Sequence, residues 1–158
     1  MYHYIFRLLK CRYRGKRFSY THYYTIPPPL SSPSSTSASN YANSTRLTRS
    51  NATSVLSSSP SFPIHASIEA LDRQALRILS VPPSSPEQAC ADFAGYLRET
   101  KNTICGRHPI GVLLGVLCAL EGGRDGETKM EWVRYEQSSE CVDVDDSSVS
   151  YASAYVVF

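Results

Sequence analysis

The run PPPLSSPSSTSASNYANSTRLTRSNATSVLSSSPSFP, ending at Pro63, constrains this chain more than any other feature. Ser, Thr, Pro and Asn dominate it. Such a composition buries too little apolar surface to offset the entropy of ordering the chain. Residues 25–63 are therefore expected to be a disordered Ser/Pro-rich insertion or linker. Of 158 residues, that leaves 64–158 as the main stretch able to build a core.

Charge divides at the same place. Residues 1–66 hold eight cations (Arg7, Lys10, Arg12, Arg14, Lys16, Arg17, Arg46 and Arg49) and no Asp or Glu. The remainder holds eight cations and fourteen acids, so the formal +2 is +8 on the first part and −6 on the second. That asymmetry marks two segments of different character. It argues against a uniformly basic nucleic-acid surface. The longest apolar run, Ile110 to Leu120, is too short to span a bilayer and contains two glycines.

Five cysteines occur: Cys11, Cys90, Cys105, Cys118 and Cys141. The count is odd and no C-x-x-C pair exists, so neither a secreted disulfide framework nor a zinc knuckle fits. A reducing compartment, the cytoplasm with the nucleus as a second location, is the expectation. Residues 1–24 are Arg-rich and acid-free, which keeps mitochondrial targeting open, although their tyrosine density argues against a transit peptide. The acceptor patterns Asn43-Ser44-Thr45 and Asn51-Ala52-Thr53 carry little weight in so Ser/Thr-rich a stretch.

Beyond Pro63 the pattern is regular. Ser67 is expected to cap a helix carrying Ile68, Leu71, Ala75, Ile78 and Leu79 on one side. VPPSSP ends it. Ser85, with Pro86 next and Gln88 three residues on, predicts a second helix to about Arg98, with Phe93, Tyr96 and Leu97 inward. Pro109 is expected to open a third, PIGVLLGVLCALE, ending at Gly122-Gly123. It is apolar all round and should be buried on most sides. Gly111 and Gly115 in it would permit close approach of a neighbouring backbone. TKMEWVRYEQSS and SSVSYASAYVVF read as strands. The class is α/β, but two strands make a poor sheet, so partner strands are expected from elsewhere.

The chemistry concentrates in NTICGRHPIGVLL. Cys105 lies just before a helix start, with Arg107 and His108 close by. Unpaired helical N–H groups and basic neighbours favour thiolate, the form that attacks or binds metal. A buried structural cysteine in a tight turn is an equal reading of the same residues. His108 reads first as a cap on the following helix and second as a ligand or acid–base group. Arg107 can hold an anion or a structural ion pair. A soft-metal site needs three or four ligands. His3, His22, His65, Cys90, Cys118 and Cys141 lack metal-ligand spacing to Cys105, and Cys118 and Cys90 read more simply as core residues. The acids Asp143, Asp145 and Asp146 are expected to face solvent. No Gly-rich phosphate loop, Ser-His-Asp order or paired-carboxylate motif stands out.

NTICGRHPIGVLL, Tyr135 to Cys141, and DSSVSYAS from Asp146 to Ser153 resemble the C-terminal half of the Memo family, named as mediators of receptor-driven cell motility. IHASIEALD (Ile64 to Asp72) resembles the family's upstream segment, and RFSYTHYY (Arg17 to Tyr24) the stretch after its Cys-His-Trp-Gly motif. The chain accordingly divides into a non-family segment 1–14, a family-like strand segment 15–24, the insertion 25–63 and a Memo-like C-terminal half 64–158. The resemblance implies a partial α/β domain like those of class III extradiol dioxygenases. It implies a copper or iron site built from two histidines of the N-terminal half and one cysteine, which maps onto Cys105, with Arg107 and His108 as neighbours. It also implies binding of phosphotyrosine peptides from receptor tails. CRYRG, Cys11 to Gly15, stands where Cys-His-Trp-Gly would lie. The expectation is a truncated member without independent catalysis. The alternatives are a redox protein whose site is completed by an N-terminal half or another chain, and a non-enzymatic phosphotyrosine adaptor.

Overall fold

A computed structural model describes residues 2–4, 23–24, 44–58, 62–121 and 128–157. The expected helix stop at Gly122-Gly123, the site at CRYRG and His22 lie outside them. Helices and strands are mixed, as the α/β reading requires. Strands β1 (Tyr2–Tyr4), β2 (Tyr23–Tyr24) and β3 (Thr45–Arg46) precede helices α1 (Ala52–Ser57), α2 (Ile64–Ile78), α3 (Pro86–Thr100) and α4 (Arg107–Glu121). Strands β4 (Lys129–Gln137) and β5 (Ser150–Val157) follow.

The main sheet has the order β1-β5-β4, antiparallel throughout. The strand that β5 needs on its free edge thus comes from this chain: Tyr2 faces Val156 and Tyr4 faces Ala154. Val81 and Met130 exchange backbone bonds of 3.1 and 2.8 Å, tying the start of the α2–α3 connection to β4. Met130, Ala152, Ala154 and Val156 form the sheet's buried side of the main core. Leu76, Leu79, Phe93, Tyr96, Ile110, Leu114 and Leu117 supply the helical side.

Register is broken between Trp132 and Arg134 by a β-bulge. Met130 and Trp132 point inward, and strict alternation would bury Arg134 and Glu136 next. The extra residue, exposed Val133, reverses the parity. Tyr135 and Gln137 therefore turn inward, and Arg134 and Glu136 pair outside at 2.9 Å.

Ser85 caps α3 as expected, accepting a bond from the Gln88 N–H at 3.2 Å, with Pro86 in the first turn. Ser67 does not cap α2. The chain is still extended at Pro63, α2 opens at Ile64, and Ser67 is buried inside the helix. The early start lets Ile64 and Ile68 reach a second core and gives the His65 N–H, unpaired within the helix, the Cys141 carbonyl at 3.0 Å. Helix α4 likewise starts at Arg107, with Pro109 third, where its missing N–H removes no helical bond.

The second core corrects the expectation for residues 25–63 within its described part. Tyr24, Leu47 and Ala52 are buried with Ile64, Ile68, Cys141 and Val144, and Val55, Leu56 and Phe62 pack around them. Asn51 builds the turn into α1. Its Oδ1 accepts from the Thr48 N–H at 2.8 Å and its Nδ2 donates to the Arg46 carbonyl at 2.9 Å. A few apolar residues, spaced to meet α2, suffice where the average composition predicts none.

Helix α4 also departs from expectation. Ile110, Leu114 and Leu117 are fully buried, but Val112, Gly115, Val116 and Ala119 form an exposed stripe. A Cβ added at Gly111 or Gly115 would meet nothing within 4 Å, so neither glycine serves a close approach among the described residues.

Candidate functional site

The Cys105 turn hangs from a buried polar anchor. Asp72 lies on the inward face of α2 and is 1% exposed. A carboxylate so placed must be hydrogen-bonded. Its Oδ1 accepts from Asn102 Nδ2 at 3.1 Å and its Oδ2 from the Tyr135 hydroxyl at 2.9 Å. The bulge in β4 is what brings Tyr135 there. Tyr135 also lies 3.3 Å from the Ser150 hydroxyl and accepts from Gln137 Nε2 at 3.0 Å. That amide donates again to the His65 carbonyl at 3.0 Å. Burial, reinforced by the Asp72 charge, holds the Tyr135 hydroxyl well above the usual tyrosine range. The Arg73 guanidinium lies over the Tyr135 ring, 5.2 Å from its centre.

Asn102 joins this anchor to the turn. Its Nδ2 donates to Tyr96 Oη at 2.6 Å as well as to Asp72, and Tyr96 donates to the Leu71 carbonyl at 2.8 Å. Thr100 hydroxyl accepts from the Asn102 N–H at 3.2 Å, and Lys101 takes the left-handed conformation (φ 54°) that ends α3. Asn102 Oδ1 is buried and has no donor among the described residues. Two residues on, Ile104 is buried and its carbonyl accepts from the Arg107 N–H at 3.2 Å. Ile110 N–H bonds the Gly106 carbonyl at 2.9 Å, starting α4.

Between these fixed points Cys105 is exposed. Arg107 and His108 are exposed too, in the first turn of α4. The buried-cysteine reading of Cys105 is therefore not the one adopted, and the turn presents a thiol, a guanidinium and an imidazole together at a helix start. Among the described residues no three His, Cys, Asp or Glu side chains converge closely enough to hold a metal ion. A thiol with one neighbouring imidazole falls short of a three- or four-ligand site.

The other cysteines are redistributed. Cys90 is exposed and Cys118 half-buried, neither of them a core residue, while Cys141 is buried. Asp145 pairs with Arg49 at 2.8 Å on the surface. Asp146 accepts from the Val142 and Asp143 N–H groups at 2.9 and 2.8 Å, so the acidic cluster shapes its own turn. Sequence reasoning missed Asp72, Asn102 and Tyr135 as a set. Its available sign was an acid on the apolar face of α2, between Leu71 and Ala75.

A family model described as Memo-like protein matches residues 11–155, four residues earlier than the resemblance at Gly15 suggests. The MEMO1 family protein MHO1 of Saccharomyces cerevisiae is 44% identical over 94 residues, covering 60% of this chain and 27% of that protein. Protein MEMO1 of Danio rerio is 41% identical over 96 residues, 60% of this chain and 29% of its own length. Protein MEMO1 of Homo sapiens is 42% identical over 92 residues, 57% and 28% respectively. The chain thus aligns with between 27% and 29% of the length of these relatives. With a family model matched across nearly all of its length, the chain belongs to the family of Memo-like proteins.

Proposed function

We propose that this chain carries the cysteine position of a Memo-type copper or iron site at Cys105 and does not complete that site by itself. The observation that carries the reading is the display of Cys105. The thiol stands exposed on a turn whose neighbour Asn102 is fixed to the buried Asp72 carboxylate. A merely structural cysteine needs no such anchor. A ligand position gains from it, because support behind a donor fixes its orientation. When bound, the metal would supply redox or Lewis-acid chemistry. Cys105 would hold it, and the remaining ligands would come from polypeptide outside the described residues or from another chain. On this reading the chain has no independent catalysis and resides in a reducing compartment such as the cytoplasm. The phosphotyrosine-adaptor reading has less to support it. Arg134 is already held by Glu136, which leaves Arg107 and Lys101 as exposed cations near the turn.

The test is a copper(I) competition titration against a chromophoric chelator, in a Cys90→Ser/Cys118→Ser background that removes the other accessible thiols of the described part. Adding Cys105→Ser should weaken binding by about tenfold or more. Equal affinity with and without Cys105 would overturn the proposal.

A further inference from the structure

Helix α4 places Ile110, Leu114 and Leu117 in the main core. The opposite side carries His108, Val112, Gly115 and Ala119, all exposed, with exposed Pro109 and Val116 flanking them. This face runs about 16 Å along the helix. From Pro109 to Leu120 the helix contains no charged residue. A helix face that stays in water normally carries charge. Four large apolar side chains are exposed among the described residues: Val112 (70%), Val116 (45%), Val133 and Val142. Of these, Val112 and Val116 alone stand one turn apart on one helix face, which makes a patch rather than scattered residues. Gly115 lies in the patch and Gly111 at its edge. The open space over both lets a neighbouring backbone come close.

Two observations identify what covers it. The chain aligns with under a third of MHO1 and of the two MEMO1 relatives, so more than two-thirds of each is polypeptide outside the match. The patch also begins at His108, about one turn from the exposed Cys105, whose remaining ligands are to come from other polypeptide. We propose that this face of α4 is the seat of that remaining Memo-like polypeptide, supplied as a separate chain. It lays an uncharged face on Val112 and Val116, passes close over Gly111 and Gly115, and so reaches the Cys105 turn. The inference rests on the reading of Cys105 as an incomplete ligand position and names the partner that completes it. A second copy of this chain would only duplicate the incomplete site.

The experiment co-expresses the intact 158-residue chain, carrying Val112→benzoylphenylalanine, with MHO1 lacking its matched segment. Cells are irradiated before lysis and cross-linked peptides are identified by mass spectrometry. The expected product joins the α4 peptide to the MHO1 polypeptide. Val133→benzoylphenylalanine, on exposed β4, should give several-fold less of it. Adding Val116→Glu to the α4 probe should cut the yield about tenfold or more, since docking would bury an unpaired charge. No cross-link, a cross-link only within the chain or to a second copy, or an equal yield from position 133 overturns the proposal. The comparison of positions 112 and 133 decides even where the Val116→Glu variant fails to fold. Copper(I) affinity of the same mixture separates this inference from the reading it rests on. A cross-link without a gain in affinity keeps the docking and refutes the ligand assignment, and a gain without a cross-link refutes the docking.

Discussion

Replacing Asp72 by alanine tests the anchor. The carboxylate is 1% exposed and accepts two bonds, one from Asn102 Nδ2 and one from the Tyr135 hydroxyl. Each bond to a buried charge is worth about 1.5–3 kcal/mol. Neither donor is stranded completely. Asn102 Nδ2 keeps Tyr96 Oη, and the Tyr135 hydroxyl keeps Ser150 within reach. The carboxylate's own desolvation is also recovered. The net loss should therefore fall at or below the lower end of the doubled figure of about 3–6 kcal/mol, at about 2–4 kcal/mol. Urea denaturation followed by the fluorescence of Trp132, the single tryptophan, gives the value. Tyr135→Phe should cost about 1–2 kcal/mol. The double variant should lose less than the sum, by about 0.5–3 kcal/mol, because the two changes remove one shared bond. An Asp72→Ala loss below about 0.5 kcal/mol with an unchanged m-value would refute the reasoning, since a surface carboxylate would behave that way.

Tyr135 should also give stability an alkaline limb. Its folded hydroxyl titrates above the unfolded one, so above about pH 10 the unfolded state releases a proton that the folded state keeps, and stability falls as pH rises. Tyr135→Phe should flatten that fall by at most about 1.4 kcal/mol per pH unit, less what solvent reaching this half-buried ring screens, as measured by denaturation between pH 9 and about 11. Leu114→Ala, at a fully buried position of the main core on α4, should cost about 2–5 kcal/mol in the same assay. Arg49→Ala removes an exposed ion pair with Asp145 and should cost no more than about 1 kcal/mol, vanishing in high salt.

What the sequence made legible was local. Ser85-Pro86 places a helix start to the residue, because a cap and a proline act within one turn. Tertiary packing overrode local preference elsewhere. Ser67 is a good cap, yet Ile64 and Ile68 gain more by joining the second core, so the helix starts before it. The apolar count of α4 hid a face, because a helix packed on α3 with one side in the main core still leaves a stripe uncovered. Cys118 was misplaced for that reason, and Cys90 lies on the exposed side of α3. The candidate site was half legible. Cys105, Arg107 and His108 stand out as adjacent residues at a helix start. The anchor does not, since its members are far apart in the chain and Tyr135 reaches Asp72 through a bulge that no alternation rule foresees.

The most direct test of the account is a time course of alkylation by iodoacetamide on the folded protein, read cysteine by cysteine by mass spectrometry. Cys105 should be modified early, alongside Cys90, and Cys141 only as the protein opens. Cys105 reacting as slowly as Cys141 would contradict it, for the thiol would then be a packed residue of the turn and no ligand position at all.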